Sequence, residues 1–342
     1  MERDLKEMSL EELWKLFPIM LQEHQPQWKL WYQEEAGKLR GVIGEPLLAL
    51  HHGGSTAVKG LLAKPTVDIF GEMDWQRPDR NTVERLEADG WILMTEGEVE
   101  NRRRLQFGKG YTPNGFAERV FHLHLRMPGD CEELYFRDYL RAHPKAAVEY
   151  GELKRSLQPR YEHDRDGYTA AKTEFVNACT QRAKEEFPHR YGRAEILQVE
   201  TGRKRYLPLL LLADEQESMI DRYLEDGELY VLNLDGIPAG CMVLQPVEEG
   251  CEIKNLAVAE EFQGFGYGRR LVDMAVRRCR RAGWKTLFVG TGESPLTLPF
   301  YQACGFQYSH RIQGFFTEYY DHPIWEGGRL LEDMIYLKKD LE

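Results

Sequence analysis

The chain has 342 residues, of which 42% are hydrophobic and 30% are charged, and its formal net charge is −11. This composition is typical of a globular protein and excludes a fibrous or largely disordered one. The negative charge disfavours nucleic acid as a partner, because phosphate backbones are bound by surplus Lys and Arg. It is compatible with a small cationic substrate.

The opening segment, MERDLKEMSLEELWKLF, is too charged for a secretory signal peptide. Ser9 and Glu12 have the spacing of a capping box, which predicts a helix that begins near residue 10. No stretch of about 18 apolar residues occurs, so no membrane partner is expected. The six cysteines are scattered and form no Cys-x-x-Cys pair. They are expected to be free thiols of a cytoplasmic protein.

A domain boundary is predicted within residues 183–200, AKEEFPHRYGRAEILQVE. There a helical pattern is interrupted by Pro188 and Gly192, and a strand-like segment follows. We therefore expect one domain at residues 1–188 and a second at residues 189–342, both of ordinary size.

The first domain is predicted to be α+β, with its helices gathered at the two ends of the segment. Helices over residues 10–23 and 28–39 precede the strands LLALHHGG (47–54) and TVDIF (66–70). The alternating segment VFHLHLRM (120–127) is a further strand, and a helical region follows it.

The segment HHGGSTAVKGLLAKPTVDIF, residues 51–70, predicts a phosphate site. Gly54, Ser55 and Thr56 lie on a turn that is able to present backbone and hydroxyl donors to a phosphate, and Lys64 adds positive charge.

A metal site is predicted beside this turn. Asp68 follows on a strand, and His122 and His124 lie on one face of another strand. Together with the turn, these residues would form a nucleotide site assisted by magnesium or another divalent metal.

The N-terminal half resembles the GrpB family, a group related to the nucleotidyltransferases, through GSTAVKGLLAKPTVDI, FHLHLR and FRDYLRAHPKAAVEYGELK. The resemblance covers most of residues 10–185. It implies a nucleotidyltransferase-like fold with Ser55 on the phosphate-binding turn and Asp68 as the first metal carboxylate. Active nucleotidyltransferases usually carry Asp-x-Asp, whereas residues 68–70 read Asp-Ile-Phe, and Glu72 shares the face of Asp68 if the strand continues.

This departure leaves three roles open for the N-terminal half. It transfers a nucleotidyl group, it binds a ligand without turnover, or it has a structural or partner-binding role.

The second domain is predicted to contain a mixed sheet with helices on both faces. A helix over residues 206–226 precedes the strands LYVLNL (229–234), IPAGCMVLQPV (237–247) and CEIKNLAV (251–258). NLDGIP forms a hairpin turn between the first two of these strands. A glycine loop, a long helix, the strand KTLFVG (285–290), a short helix and closing strands follow.

The loop EFQGFGYGRRLV, residues 261–272, is the clearest functional signal. It is not a P-loop, since Arg269 follows its last glycine in place of Lys-Ser/Thr. Its G-x-G-x-G spacing also departs from the G-x-G-x-x-G of dinucleotide-binding proteins. Gln263, Gly266 and Gly268 instead match Q/R-x-x-G-x-G/A before a helix, whose first N–H groups and dipole suit a pyrophosphate.

Residues 194–340 resemble the GNAT acetyltransferase family through EIKNLAV, QGFGYG, TLFVG and FYQACGF. The resemblance implies acetyl-CoA as the cofactor and a GNAT-type mixed sheet. It places the backbone of Leu256, Ala257 and Val258 beside the pantetheine. The residues implied to enclose the pyrophosphate are Gln263, Gly264, Phe265, Gly266, Tyr267, Gly268 and Arg269. Ser294 stands where many members have an asparagine that contacts the coenzyme.

Two residues are candidates for acid–base chemistry. Tyr301 matches the tyrosine that the family commonly places near the coenzyme sulfur, where a phenol protonates the departing thiolate; the alternative is an aromatic that only packs. Glu252 is the candidate base, because alternation puts it on one face with Lys254 and Leu256; the alternative is a solvated carboxylate. The aromatic and acidic tail, residues 315–326, either lines a site for a cationic amine or packs as a final hairpin.

The combined expectation is an acetyl-CoA-dependent N-acetyltransferase that acts on a small-molecule amine. It is fused to a GrpB-like domain that binds a nucleotide or recruits the substrate. The alternative is a nucleotidyltransferase in the N-terminal half with an auxiliary acetyltransferase fold.

Overall fold

The computed structural model describes residues 5–75 and 81–341. The chain forms two compact units, of which the first ends at Arg193 and the second begins at Ala194. All six cysteines are free, as their spacing predicts, and all six are buried. Among the described residues, no helix combines the length and the apolar character needed to cross a membrane.

The first unit is an α+β arrangement around a five-stranded sheet. Its helices are α1 (Leu10–Leu16), α2 (Gln27–Ile43), α3 (Thr82–Ala88), α4 (Glu132–Ala142), α5 (Pro144–Tyr161), α6 (Arg165–Ala170) and α7 (Thr173–Glu186). Its strands are β1 (Leu47–Gly53), β2 (Thr66–Met73), β3 (Ile92–Val99), β4 (Arg102–Thr112) and β5 (Gly115–Arg126). The strand order is β1-β2-β5-β4-β3, in which β2 and β5 are parallel and the other pairs are antiparallel.

The capping box forms as predicted at the start of α1. The Ser9 hydroxyl accepts from the Glu12 N–H, and the Glu12 carboxylate accepts from the Ser9 N–H at 2.8 Å. The predicted helix over residues 10–23 is wrong beyond Leu16, because Pro18 lacks an N–H and clashes with a continuing helix. The second predicted helix forms as α2 and is longer than predicted at both ends.

Alternation along β2 and β5 sorts their side chains onto two faces of the sheet. Val67, Ile69 and Leu123 are fully buried in a core that includes Trp28 and Leu39 of α2. The alternate residues of the same two strands therefore lie on the opposite face. The candidate metal ligands are on that face.

The second unit contains a seven-stranded mixed sheet. Its helices are α8 (Leu207–Leu210), α9 (Glu217–Leu224), α10 (Tyr267–Arg281), α11 (Thr297–Ala303) and α12 (Phe315–Tyr319). Its strands are β6 (Ala194–Val199), β7 (Glu228–Leu234), β8 (Ile237–Val247), β9 (Gly250–Val258), β10 (Thr286–Gly292), β11 (Gln307–Ile312), β12 (Trp325–Glu326), β13 (Arg329–Leu330) and β14 (Met334–Asp340). The sheet order is β11-β14-β10-β9-β8-β7-β6, with β9 and β10 parallel, and β12 pairs with β13 separately.

Helices cover both faces of this sheet, as predicted. Leu271 and Val272 of α10 belong to the core on one face, and Leu210 of α8 and Ile220 of α9 belong to the core on the other. The single helix predicted over residues 206–226 is wrong, because it is interrupted between α8 and α9. Tertiary hydrogen bonds to the interrupting segment, described below, outweigh its helix propensity.

Candidate functional site

The parallel strands β9 and β10 separate halfway along their length. Residues 251–253 pair with residues 287–289, whereas residues 255–258 pair with β8 alone and residues 290–292 with β14 alone in the described structure. The C-terminal halves of the two strands therefore border a wedge-shaped gap. The predicted pantetheine contacts, Leu256 to Val258, lie on the β9 edge of this gap.

A β-bulge changes the alternation of β9 at Lys254. Ile253 pairs with Leu244 and Asn255 pairs with the adjacent Val243, so Lys254 is the extra residue. An extra residue in one strand shifts every later side chain by one position.

The bulge makes one sequence prediction wrong. Leu256 packs with Ile253 against the core on the α10 face, whereas Ala257 belongs to the core on the α8 and α9 face. Glu252, one residue before Ile253, therefore does not share a face with Leu256. It does lie beside Lys254, as predicted, because the Lys254 Nζ donates to its Oε1 at 3.0 Å.

The glycine loop leads from β9 into α10 and is open around two of its glycines. Gly264 has φ +80° and Gly266 has φ +92°, and a Cβ added at either would have no other atom within 4 Å. Gly266 is the N-cap of α10, and no side chain caps the helix there. The Gln263 amide donates to the Val258 carbonyl at 2.9 Å, which fixes the loop to the end of β9. An open, uncapped helix N-terminus of this kind is suited to an anion.

The remaining loop residues pack the loop against its surroundings. A Cβ at Gly268 would be 3.2 Å from the Phe300 ring of α11. The Arg269 guanidinium donates to the Ala303 carbonyl at the end of α11. Tyr267 is buried and Phe265 is partly buried, both in the core on the α10 face. Arg269 is thus engaged through its side chain, and its backbone N–H lies in the first turn of α10.

Tyr301 lies on α11 and is 6% exposed. Its ring packs edge-on against Phe300 and Phe306 at centroid distances of 4.9 and 5.6 Å. Burial raises the pKa of its phenol, and Cys304 and Glu326 add to the rise. The phenol therefore keeps its proton at neutral pH, as a general acid must.

Glu252 is buried and shares its carboxylate between two neighbours. Besides the Lys254 ammonium, the Tyr336 hydroxyl of β14 donates to its Oε1 at 3.1 Å. Burial raises the pKa of Tyr336, and the Glu252 charge adds to the rise. The sequence alone did not indicate Tyr336, because β14 lies far from β9 along the chain.

A second carboxylate, Asp214, lies between α8 and α9. Its two oxygens accept from the hydroxyls of Tyr223 and Tyr320, each at 3.1 Å. The Asn255 amide of β9 donates to the Tyr223 hydroxyl at 3.0 Å. Burial raises the pKa of Asp214, whereas the tyrosine hydrogen bonds and the nearby Lys254 charge oppose the rise. Asp214 and Tyr320 are 106 residues apart, so no local motif could have revealed this cluster.

Ser294 lies in the turn after β10 and is 2% exposed. Its hydroxyl accepts from the Leu296 N–H at 3.1 Å, at the start of α11. This hydrogen bond gives Ser294 a local role, and its contact with a coenzyme stays a prediction.

In the first unit, Asp68, His122 and His124 come together on adjacent strands. Asp68 of β2 is the direct partner of His122 of β5, and His124 is the partner of Phe70. The Asp68 Oδ1 is 3.2 Å from the His122 Nδ1 and 3.6 Å from the His124 Nε2. One potential ligand atom from each residue lies within 4.8 Å of the others.

Burial and hydrogen bonding decide the charges in this cluster. Burial opposes ionisation of Asp68, yet hydrogen bonds from His122 and His124 hold its pKa well below the usual range. Burial lowers the pKa of His122 to about 4, although the hydrogen bond to Asp68 opposes this. At neutral pH the carboxylate is therefore charged and His122 is neutral, which is the protonation state of metal ligands.

The predicted phosphate turn packs onto this carboxylate. Gly54 has φ +64°, and a Cβ added there would be 2.0 Å from the Asp68 Oδ2. The Ser55 hydroxyl accepts from the Lys154 ammonium at 3.0 Å, and the Thr56 hydroxyl lies 3.1 Å from the His52 Nε2. The turn is thus held by the chain's own polar groups.

Three lysines interact with the turn or with Asp68, and the sequence did not indicate two of them, Lys154 and Lys172. Burial lowers the pKa of Lys64 and of Lys154 to about 7 and that of Lys172 to about 8, and neighbouring cations contribute. Lys64 also lines a cavity together with Tyr111 and Arg165. Within the described residues, none of the three lysines forms an ion pair with a carboxylate. The charge of Asp68 raises the pKa of Lys64 and Lys172 and so offsets part of the effect of burial.

Glu72 lies on the face of Asp68, as predicted, because β2 continues to Met73. Its Oε1 is 3.4 Å from the His51 Nε2. Glu72 is therefore directed to His51, and it is not among the three clustered residues.

Comparisons with known proteins assign both units. A model of the GrpB protein family matches residues 18–182, and a model of the acetyltransferase (GNAT) family matches residues 193–306. The chain is 39% identical over 135 residues to the uncharacterized N-acetyltransferase YvbK of Bacillus subtilis, covering 39% of this chain and 87% of YvbK. It is 32% identical over 163 residues to the glutamate-rich protein GrpB of Alkalihalophilus pseudofirmus, covering 46% of this chain and 92% of that protein.

A third relative, the UPF0157 protein YqkA of Bacillus subtilis, is 31% identical over 160 residues, and the match spans 45% of its length. Among solved structures, a GNAT family acetyltransferase from Elizabethkingia anophelis with acetyl-CoA bound is 39% identical, with a TM-score of 0.42 over 43% of this chain and 98% of that one. GrpB from Enterococcus faecalis is 29% identical, with a TM-score of 0.41 over 49% of this chain and 99% of that one. By the two family models and the matches to YvbK and to GrpB of Alkalihalophilus pseudofirmus, the chain belongs to the GrpB family in its N-terminal half and to the GNAT acetyltransferase family in its C-terminal half, which is an acyltransferase domain.

Proposed function

We propose that the protein transfers the acetyl group of acetyl-CoA to a cationic small-molecule amine. The observation that carries this proposal is the open glycine turn at the N-terminus of α10, next to the gap between β9 and β10. The turn suits a pyrophosphate, and the gap offers unpaired strand edges to an extended pantetheine chain. The similarity to the N-acetyltransferase YvbK supports the same assignment.

Acetyl-CoA supplies the acetyl group as a thioester, from which the sulfur leaves as a thiolate when the amine nitrogen bonds to the carbonyl carbon. Tyr301 holds a proton that it donates to this sulfur. Glu252 accepts the proton that the amine loses, directly or through water, and Lys254 and Tyr336 hold its carboxylate in place. Solvent then returns a proton to Tyr301 and removes one from Glu252.

The face that carries Glu252 supports a cationic acceptor. Asp214 adds a second, half-buried carboxylate, and the hydroxyls of Tyr223 and Tyr320 orient it. Carboxylates and aromatic rings together favour an ammonium group over a neutral or anionic acceptor. The tail's aromatic residues also pack with one another, since the centroid of the Phe315 ring lies 5.4 Å from that of Phe316 and 4.9 Å from that of Tyr319.

The test is acetyl-CoA binding by the full chain, followed by release of coenzyme A with a panel of amines. We expect binding by calorimetry and thiol release with cationic amines but not with their neutral isosteres. Asp214→Asn should raise KM for the amine and leave the acetyl-CoA affinity unchanged. The matched control is Asp226→Asn, which changes an exposed carboxylate before β7. A chain that does not bind acetyl-CoA would contradict the proposal.

A second candidate function belongs to the first unit, namely binding of a phosphate-bearing ligand such as a nucleotide. Lys64, Lys154 and Lys172 favour it, because none of them forms an ion pair with a carboxylate among the described residues. Calorimetry with nucleoside triphosphates on the full chain tests this function. Lys64→Gln and Lys172→Gln should weaken binding, whereas Lys59→Gln, an exposed control, should not. Absence of binding would favour the recruiting role instead.

A further inference from the structure

We propose that Asp68, His122 and His124 bind a transition-metal ion such as Zn²⁺ or Fe²⁺. A nucleotidyltransferase-like fold implies Mg²⁺, but these residues do not fit that ion. Mg²⁺ takes oxygen ligands in near-octahedral geometry, whereas this cluster offers two imidazole nitrogens and one carboxylate. Imidazole nitrogen suits Zn²⁺, Fe²⁺ and related ions.

The distances from Asp68 to the two histidines match a single ion. Two ligands that each lie about 2.1 Å from a metal are about 3.0–3.4 Å apart at octahedral or tetrahedral angles. The Asp68 Oδ1 is 3.2 Å from the His122 Nδ1 and 3.6 Å from the His124 Nε2. These two distances match an ion to within a few tenths of an ångström, whereas the two histidine nitrogens lie within 4.8 Å of each other and would have to approach more closely. The ligands stand on two hydrogen-bonded strands, β2 and β5, which keep this spacing rigid.

Neighbouring groups fix the orientation of each ligand. The His122 Nε2, on the far side of the ring from Asp68, lies 2.6 Å from the Tyr111 hydroxyl. The Arg165 guanidinium also lies 3.1 Å from this nitrogen and can only donate, so Nε2 accepts, and an ion at Nδ1 would displace the proton that Nδ1 shares with Asp68. The His124 ring stacks on Phe70 at 4.6 Å with an interplanar angle of 10°. The Gly54 turn packs against the Asp68 Oδ2, so Oδ1 is the oxygen that faces the histidines.

The other carboxylate on this face does not complete a magnesium site. Glu72 is 3.4 Å from His51 and buried. Three protein ligands leave at least one coordination position for water or for a ligand's oxygen, as in catalytic rather than structural metal sites.

The test uses the full chain after treatment with a chelator. Calorimetric titration with Zn²⁺, Mn²⁺ and Mg²⁺, without phosphate, should show one equivalent of Zn²⁺ bound at least about 100-fold more tightly than Mg²⁺. Co²⁺ bound to the unmodified chain should give an absorption spectrum typical of coordination by nitrogen ligands. The proposal would be overturned if the chain bound neither Zn²⁺ nor Co²⁺, or if it bound Mg²⁺ and Zn²⁺ with equal affinity.

Variants separate this site from surface histidines. Asp68→Asn and His124→Asn should each weaken Zn²⁺ binding about 100-fold, whereas His163→Asn, which changes an exposed histidine of the same unit, should leave it intact. Zn²⁺ should raise the Tm of the unmodified chain but not that of the Asp68→Asn chain. Unchanged stoichiometry and affinity in both ligand variants would place the ion elsewhere and refute the assignment. These outcomes do not depend on acetyl transfer, which has its own readouts.

Discussion

The two units each contain a glycine turn with positive φ, and the turns differ in what surrounds them. An added Cβ would meet nothing within 4 Å at Gly264 or Gly266, but would be 2.0 Å from the Asp68 Oδ2 at Gly54. The turn at Gly264 and Gly266 leaves room for a ligand from outside the chain. The turn at Gly54 is filled by the Asp68 carboxylate, so this glycine is needed to position Asp68. A glycine-rich turn alone therefore does not indicate that a phosphate binds there.

The largest expected effect comes from adding a methyl group to the turn at Gly54, which the Asp68 carboxylate already fills. Gly54→Ala places a methyl group on the Asp68 carboxylate and adds strain from φ +64°. We expect Zn²⁺ binding by the full chain to fall below detection in calorimetry. Gly60→Ala is the matched control, because Gly60 has φ +78° and open space around it. Equal Zn²⁺ affinity in the two variants would show that the turn does not position Asp68.

The next largest effect concerns the proposed role of Tyr301 as the general acid of the second unit. Tyr301→Phe removes the phenol and keeps the ring packing, so kcat should fall about 100-fold, the usual scale for a general acid. The acetyl-CoA affinity, measured by calorimetry, should change less than about twofold, because an interaction made only in the transition state contributes nothing to ground-state binding. Tyr308→Phe changes a tyrosine that is 62% exposed and serves as the control. An unchanged kcat would leave Tyr301 as a packing residue.

A smaller effect is expected from a methyl group in the open turn itself. Gly266→Ala should weaken acetyl-CoA binding about tenfold in calorimetry, because the strained backbone turns its N–H groups away from the pyrophosphate. Gly283→Ala imposes comparable strain at the other end of α10, where φ is +81° and space is open. The two variants should lose similar stability, about 1 kcal/mol. Equal loss of acetyl-CoA affinity would mean that binding follows stability and not the turn.

The sequence predicted what depends on near neighbours. The capping box at Ser9, the loop from Gln263 to Arg269 and the strand positions of Asp68 and His122 all follow from local spacing. The bulge at Lys254 did not, because it arises from pairing with β8. Asp214 was also missed, since its partners come from α9 and from the tail after β11.

The smallest expected effect is a pH dependence of anion binding and of stability, which arises from the lysines of the first unit. Burial and mutual repulsion lower the pKa of Lys64 and Lys154 to about 7 and of Lys172 to about 8. These amines therefore lose their charge between about pH 6 and 9, and an anion must restore it on binding.

Tripolyphosphate binding by the metal-free full chain should weaken about threefold or more per pH unit over this range, measured by calorimetry. The free energy of unfolding should change in the opposite direction, because the unfolded lysines still hold protons up to about pH 10, so the folded state gains stability as pH rises. Lys64→Gln should flatten both dependences, and Lys59→Gln should preserve them. Binding that is independent of pH would mean that these amines do not meet the anion, and the N-terminal turn would then serve Asp68 alone.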